Sequence, residues 1–115
     1  MRDYKKYKVW KLGHEITLSI YKVTPHFPQE EKYGVVSQLR RAAYSIPSNV
    51  SEGCGRESDA EFKRYLVISG GSASELEYFL LLSKDLKYLE EETYEELFDK
   101  VNLVKRSLNN LINKI

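Results

Sequence analysis

The stretch SQLRRAAYSIPSNVSEGCGR, residues 37–56, begins with helical spacing, carries two adjacent arginines and then meets Pro47. A proline inside a helix cannot donate to the carbonyl four residues back, here that of Ala43, and its ring crowds that carbonyl at a cost of about 3 kcal/mol. Ser45, Ser48, Asn49 and Ser51 surround it, and their short polar side chains can satisfy freed backbone groups locally. Two conformations fit the pattern. Either the helix bends and continues, or it breaks and restarts with Asn49 capping a last turn that Glu52 answers three residues on. Pro47, Ser48, Asn49, Glu52 and Gly53 therefore form a structural motif that sets the direction of the chain ahead of a hairpin at Gly53 to Gly55.

Helical periodicity extends outward on both sides. Val35, Val36, Leu39, Ala42, Ala43, Ile46 and Val50 share one side of a helix that starts near Glu30 or Glu31, whose carboxylates suit a helix N-terminus. Before it, Trp10, Leu12, Ile16, Leu18, Ile20 and Val23 mark a helix from Trp10 to about Pro25, stopped by Phe27-Pro28. After the hairpin, Ser58-Asp59-Ala60-Glu61 is a capping-box pattern opening a third helix that runs to about Tyr88. Gly70-Gly71 interrupts it, each glycine costing about 1 kcal/mol relative to alanine. Folding about Cys54 and Gly55 brings Leu39 and Ala42 level with the glycines, which predicts a close helix crossing there as compensation. Tyr94, Leu97, Val101, Val104, Leu108, Leu111 and Ile115 mark a fourth helix with the alternating three-and-four spacing of a coiled-coil seam. No window alternates with period two. The chain reads as all-α, a single domain over residues 1–115 folded as an antiparallel up-down four-helix bundle.

The third helix carries more apolar residues than one bundle needs. Tyr78-Phe79-Leu80-Leu81-Leu82 sweeps about 400° of helix, whereas a packed face requires a stripe a little over about 100° wide. Tyr65-Leu66-Val67-Ile68 repeats the excess. Tyr78, Phe79, Leu81 and Leu82 are thus the candidate interface of a homo-oligomer. The competing reading makes this helix simply the most enclosed of the four.

A chain of 115 residues, 42% hydrophobic and 30% charged, suits one globular core. Cys54 is the sole cysteine, no secretory leader pattern opens the chain, and no apolar run approaches the roughly 20 residues of a membrane span. Together these predict a cytoplasmic protein with no membrane contact. Net charge is only +1, but it is unevenly spread. Arg2, Lys5, Lys6, Lys8 and Lys11 face only Asp3 near the N-terminus, whereas Glu90, Glu91, Glu92, Glu95, Glu96 and Asp99 cluster without a base.

Bases interleaved with Tyr4, Tyr7 and Trp10 combine the charge and stacking planes that single-stranded nucleic acids use. The candidate RNA or DNA contacts are Arg2, Lys5, Lys6, Lys8, Lys11, Arg40, Arg41 and Arg56. Arg40 and Arg41 point about 100° apart on a helix, so one can pair with Glu52 or Glu75 while the other faces outward. The competing reading is a structural or protein-binding module whose acidic segment, Glu90 to Asp99, docks a basic partner.

No catalytic constellation stands out. Neither His14 nor His26 has the glutamate three residues earlier that a di-iron bundle requires, and Cys54 has no histidine near it in sequence to act as a base. Gly70-Gly71-Ser72 lacks the preceding strand and the Gly-Lys-Ser/Thr ending of a phosphate loop. The residues point to no metal, no cofactor, no small-molecule substrate and no enzymatic activity.

Gln38-Leu39-Arg40-Arg41-Ala42-Ala43, Ser45-Ile46-Pro47-Ser48-Asn49 and Glu52-Gly53 closely resemble the signature of the bacterial four helix bundle protein family, also called the 23S rRNA intervening-sequence proteins. Trp10, Phe27-Pro28, Tyr33-Gly34, Gly71-Ser72 and Glu75-Leu76 extend the likeness over nearly the whole chain. Tyr44 is bulkier than is usual in that family. The resemblance implies a four-helix bundle that assembles into a barrel-like homopentamer, often encoded within inserts in large-subunit ribosomal RNA genes. It also implies kinship with an accessory protein of diversity-generating retroelements, a similar bundle that binds nucleic acid and a reverse transcriptase. No enzymatic activity is established for the family.

Overall fold

The computed structural model describes residues 2–115 and contains four long helices: α1 (Lys8–Val23), α2 (Val35–Cys54), α3 (Asp59–Asp85) and α4 (Glu91–Asn113). Among the described residues there is no strand. Helices adjacent in sequence pack side by side and α4 closes against α1, giving an antiparallel up-down four-helix bundle of 43 × 24 × 19 Å. The α1–α2 side is therefore opposite the α3–α4 side. One end, here called basal, holds the starts of α1 and α3 and the ends of α2 and α4; the other is distal.

Each helix begins and ends for a local reason. The Asp3 carboxylate accepts from the Lys5 amide at 3.1 Å and caps a 3-10 turn, Tyr4–Lys6, that leads into α1. Val9, Gly13, Ile16 and Ile20 form the buried line of α1, whereas Leu18, which the apolar spacing had assigned to the stripe, faces outward and is 57% exposed. Thr24 Oγ1 donates back to the Ile20 carbonyl at 2.9 Å as Pro25 ends the helix.

The second helix begins later than Glu30 or Glu31. Those residues form a separate 3-10 turn, Gln29–Glu31, and α2 starts only after Gly34. The Glu31 carboxylate still serves the helix N-terminus, because Oε1 accepts from the Val35 amide at 3.3 Å. Its other oxygen accepts from the Tyr88 hydroxyl at 2.8 Å, tying this turn to the α3–α4 connection. A side chain at residue 34 would meet the end of that same carboxylate, which would have to shift from its place at the helix N-terminus.

Ser58 caps α3 as the sequence pattern requires, its Oγ accepting from the Glu61 amide at 3.1 Å. Glu61 pairs with Arg64 at 3.0 Å. α3 ends at Asp85, three residues before Tyr88, because Lys87 takes a left-handed conformation with φ 67°. Leu97, Val101, Val104 and Leu108 bury the seam of α4; Tyr94 and Leu111 are partly buried and Ile115 lies past the helix end. The acids Glu91 and Glu92 occupy the first turn of α4, where the helix dipole favours negative charge.

Candidate functional site

The helix around Pro47 bends and continues. α2 is unbroken from Val35 to Cys54, and Asn49 does not cap a new turn: its Nδ2 donates to the Ser45 carbonyl at 2.7 Å. Ser45 Oγ in turn donates to the Arg41 carbonyl at 2.6 Å, a back-bond of the kind that bends helices. From α3, the buried Ser69 hydroxyl donates to the Ile46 carbonyl at 2.9 Å. On the opposite side lies α1, where a Cβ at Gly13 would sit 2.9 Å from Ile46 Cγ2 and 3.2 Å from Pro47 Cδ. Gly53 meets α3 as closely, since a Cβ there would be 2.8 Å from Tyr65 Cβ. Ser48 is exposed, and Glu52 pairs with Arg56 at 3.2 Å. The motif is thus a packed and hydrogen-bonded bend.

The compensating close approach falls elsewhere than at Gly70-Gly71. Nothing lies within 4 Å of a Cβ built on either residue. The register set by Ser69 on Ile46 and by Arg41 on Glu75 places Ala42 level with Ala73, one helical turn distal to the glycine pair. Small does face small, but through two fully buried alanines.

The eight candidate nucleic-acid contacts do not share one patch. Arg2 is folded onto the bundle: it pairs with Asp59, donates to the Arg56 carbonyl at 3.3 Å and lies 4.2 Å from the centre of the Phe62 ring. Arg56 binds Glu52 and the Tyr65 hydroxyl. Arg41 is the paired member of the arginine doublet, 2.6 Å from Glu75 and also bonded to Gln38. Arg40 donates to Thr24 Oγ1 at 3.0 Å and lies over the Tyr21 ring at 4.6 Å. Both arginines stand near the distal end, about 24 Å by helical rise from Lys8.

Lys5, Lys6, Lys8 and Lys11 are exposed at the basal end, and among the described residues none has a carboxylate partner. The aromatic planes between them are already engaged. Tyr4 packs on Trp10 at 5.1 Å, Tyr7 on Phe62 at 5.7 Å, and Trp10 stacks with the exposed His14 at 5.0 Å. Two bases that the sequence reading missed join this end. Arg106 and Lys114 line a groove of about 350 Å³ with Tyr7 and Lys8, between the start of α1 and the end of α4. Arg106 lies on α4 and Lys114 is the residue that follows its last turn, so no sequence spacing joined them to the N-terminal lysines.

The candidate interface on α3 divides. Phe79 and Leu82 pack against the core of their own bundle, whereas Tyr78 (55% exposed) and Leu81 (40%) face outward. Val67, 56% exposed, joins them, and Val67, Gly71, Ser74, Tyr78 and Leu81 form one outward row at four-three-four-three spacing. Two open hollows run beneath it along α4, one of about 440 Å³ bordered by Val67, Gly70, Ser74 and Ile112, the other of about 210 Å³ bordered by Tyr78, Leu81, Tyr94 and Phe98. Tyr21 and Tyr44 are also exposed, on the α1–α2 side.

Chemical reactivity is muted. Cys54 is buried at the end of α2, and burial pushes its thiol above the ordinary range, opposed in part by Arg2. Among the described residues no three His, Cys, Asp or Glu side chains converge on a metal position, and no buried side-chain polar atom lacks a partner.

Residues 5–110 match the family model of the 23S rRNA-intervening sequence protein. The chain belongs to that family. The solved structures contain a similar protein from Bacteroides thetaiotaomicron VPI-5482, described as a protein of unknown function from the S23 ribosomal protein family. It is 27% identical, covers 90% of this chain and 97% of its own, and superimposes with a TM-score of 0.84. No curated protein matches the chain. The bend at Pro47 and the outward row on α3 are thus features of a four-helix member of the 23S rRNA-intervening sequence proteins.

Proposed function

We propose that the protein is a non-enzymatic helical scaffold that acts as a homo-oligomer, its copies covering one another's outward apolar residues. Five copies is the number that the family resemblance implies. The observation that carries the reading is the row Val67, Gly71, Ser74, Tyr78 and Leu81, an outward face in which Gly71 is bare and the half-buried Gly70 lies beside it. A lone bundle gains nothing from glycines in an exposed helix interior, whereas a helix docking from outside gains a close approach. In this reading the protein works in the cytoplasm, where a single reduced thiol is at home. Among the described residues no helix is long and apolar enough to cross a membrane. Light scattering across a concentration series tests the assembly. A mass several times that of the chain is expected; a single-chain mass at micromolar concentration refutes it.

The lysines at the basal end favour a second reading, in which the scaffold contacts RNA or DNA. A ring of copies would repeat Lys5, Lys6, Lys8 and Lys11 around one rim, with Arg106 and Lys114 beside them. Phosphate contacts of this kind weaken steeply with salt. Fluorescence anisotropy of short RNA and DNA from low to high salt is expected to show binding that disappears in a Lys5→Glu, Lys6→Glu, Lys8→Glu variant. Absence of binding at low salt leaves the scaffold alone, with the acidic segment Glu90 to Asp99 available to a basic protein partner.

A further inference from the structure

All but one of the arginines are engaged inside the chain. Arg2, Arg41, Arg56 and Arg64 each pair with a carboxylate, and Arg40 donates to Thr24 and covers Tyr21. Arg106 stands apart. Among the described residues it has no ion pair, no hydrogen bond and no ring beneath it. A guanidinium is a planar fork of donors suited to carboxylate and phosphate oxygens, and this fork lines the groove between the start of α1 and the end of α4.

The other walls of that groove agree with it in charge. Lys8 enters from α1 and Lys114 from the end of α4, about 12 Å from Arg106 by helical rise. No Asp or Glu lines the groove, and the first turn of α1 contains no acidic residue. Three cations on long side chains therefore share one concavity with nothing of their own chain to neutralise them. Between them lies an apolar wall of Val9, Leu103 and Leu111. The volume, about 350 Å³, falls at the small end of ligand sites, which run from about 300 to 1,000 Å³.

We propose that this groove binds a phosphate monoester with a compact apolar or aromatic body. The phosphate is held among Lys8, Arg106 and Lys114, and the body lies on Leu103 and Leu111. A carboxylate brings one charge and would answer one of the three cations. A phosphate monoester brings about −1.5 to −2 at neutral pH, with three acceptor oxygens, and takes an arginine fork through two of them. The ligand requires neither the assembly of copies nor a nucleic-acid strand, so this site goes beyond both functional readings above. The same ester also occurs at the phosphorylated end of a strand, and the test separates the two sources.

Isothermal titration of the full chain with phenyl phosphate, adenosine monophosphate, inorganic phosphate and adenosine tests the groove. At least one ester is expected to bind at least about tenfold tighter than inorganic phosphate, because its body buries apolar surface, and adenosine is expected not to bind. Arg106→Gln should weaken the ester at least about tenfold with unchanged helical circular dichroism, since Arg106 supports nothing else in the chain. Arg64→Gln, at an exposed arginine on α3, should leave the affinity as it was. A short RNA strand is then compared with and without a terminal phosphate. Binding of the free esters assigns the site to a small molecule; a gain through Arg106 seen only with the terminal phosphate assigns it to a strand end. Inorganic phosphate binding as tightly as both esters, or ester binding indifferent to Arg106→Gln, overturns the proposal. So does silence of both esters at millimolar concentration together with strands that bind equally with and without the phosphate, a result that leaves the scaffold and nucleic-acid readings intact.

Discussion

Two glycine-bearing places in this bundle are dealt with in opposite ways. At the α1–α2 crossing, Gly13 lies against Ile46 and Pro47, and the missing side chain is what lets the helices meet at the bend. On α3, Gly70 and Gly71 meet nothing in their own chain. In sequence, both are glycines inside a helical pattern, with the same propensity penalty of about 1 kcal/mol. The difference teaches that a glycine's cost is recovered only where another backbone or ring occupies the vacated space. The crossing recovers it within the protomer, and on the α3 face nothing in the same chain does.

Substitution at the crossing should have the largest effect. Gly13→Leu forces an isobutyl group into Ile46 and the Pro47 ring and is expected to lower unfolding free energy by about 3 kcal/mol; a variant with unchanged thermal stability would break the contrast. Ser69→Ala comes next. It removes the buried hydroxyl that holds the Ile46 carbonyl beside the bend, for an expected loss of about 1 kcal/mol by urea unfolding. Gly71→Ala should go the other way, raising the stability of the dissociated chain by about 0.5–1 kcal/mol, because helix propensity improves and no atom stands in the way. A loss there, measured on single chains, would mean that the two glycine sites are alike after all.

The smallest effect lies outside both regions and serves as their control. Tyr88 is held protonated by its hydrogen bond to Glu31 and by partial burial, so its pKa is raised above the ordinary phenol value of about 10. A raised folded pKa stabilises the protein fully below the unfolded value and loses that contribution as pH rises through the folded one. Tyr88→Phe should therefore cost a little stability at neutral pH and flatten the alkaline decline. An equal alkaline decline in both proteins, followed by unfolding from pH 8 to 12, would show that Tyr88 does not contribute.

Much of the local architecture was legible before any coordinates. The Ser58 cap and the buried seam of α4 follow from interactions between residues at most four apart, and such interactions are written in the spacing itself. Where several short-range solutions were equivalent, the spacing was silent. Bending and restarting both satisfied the residues around Pro47, and the outcome was set by Gly13 and Ser69 on neighbouring helices. Arg40 and Arg41 were equivalent candidates for an ion pair until α3 brought Glu75 to one and α1 brought Thr24 to the other.

The candidate site divided along the same line. Surplus apolar residues on α3 were countable from the sequence, yet Phe79 and Leu82 turned inward while Tyr78, Leu81 and Val67 stayed out. By itself the sequence determined the four helices, their order and a basic end opposed to an acidic one, because periodicity, caps and charge runs are properties of a chain read along its length. Only the tertiary structure decided that Gly13, and not Gly70-Gly71, is the close crossing, and that Tyr44 stands on the side opposite Gly71. Those facts depend on which helix lies across from which, and distance across a bundle has no period in the sequence.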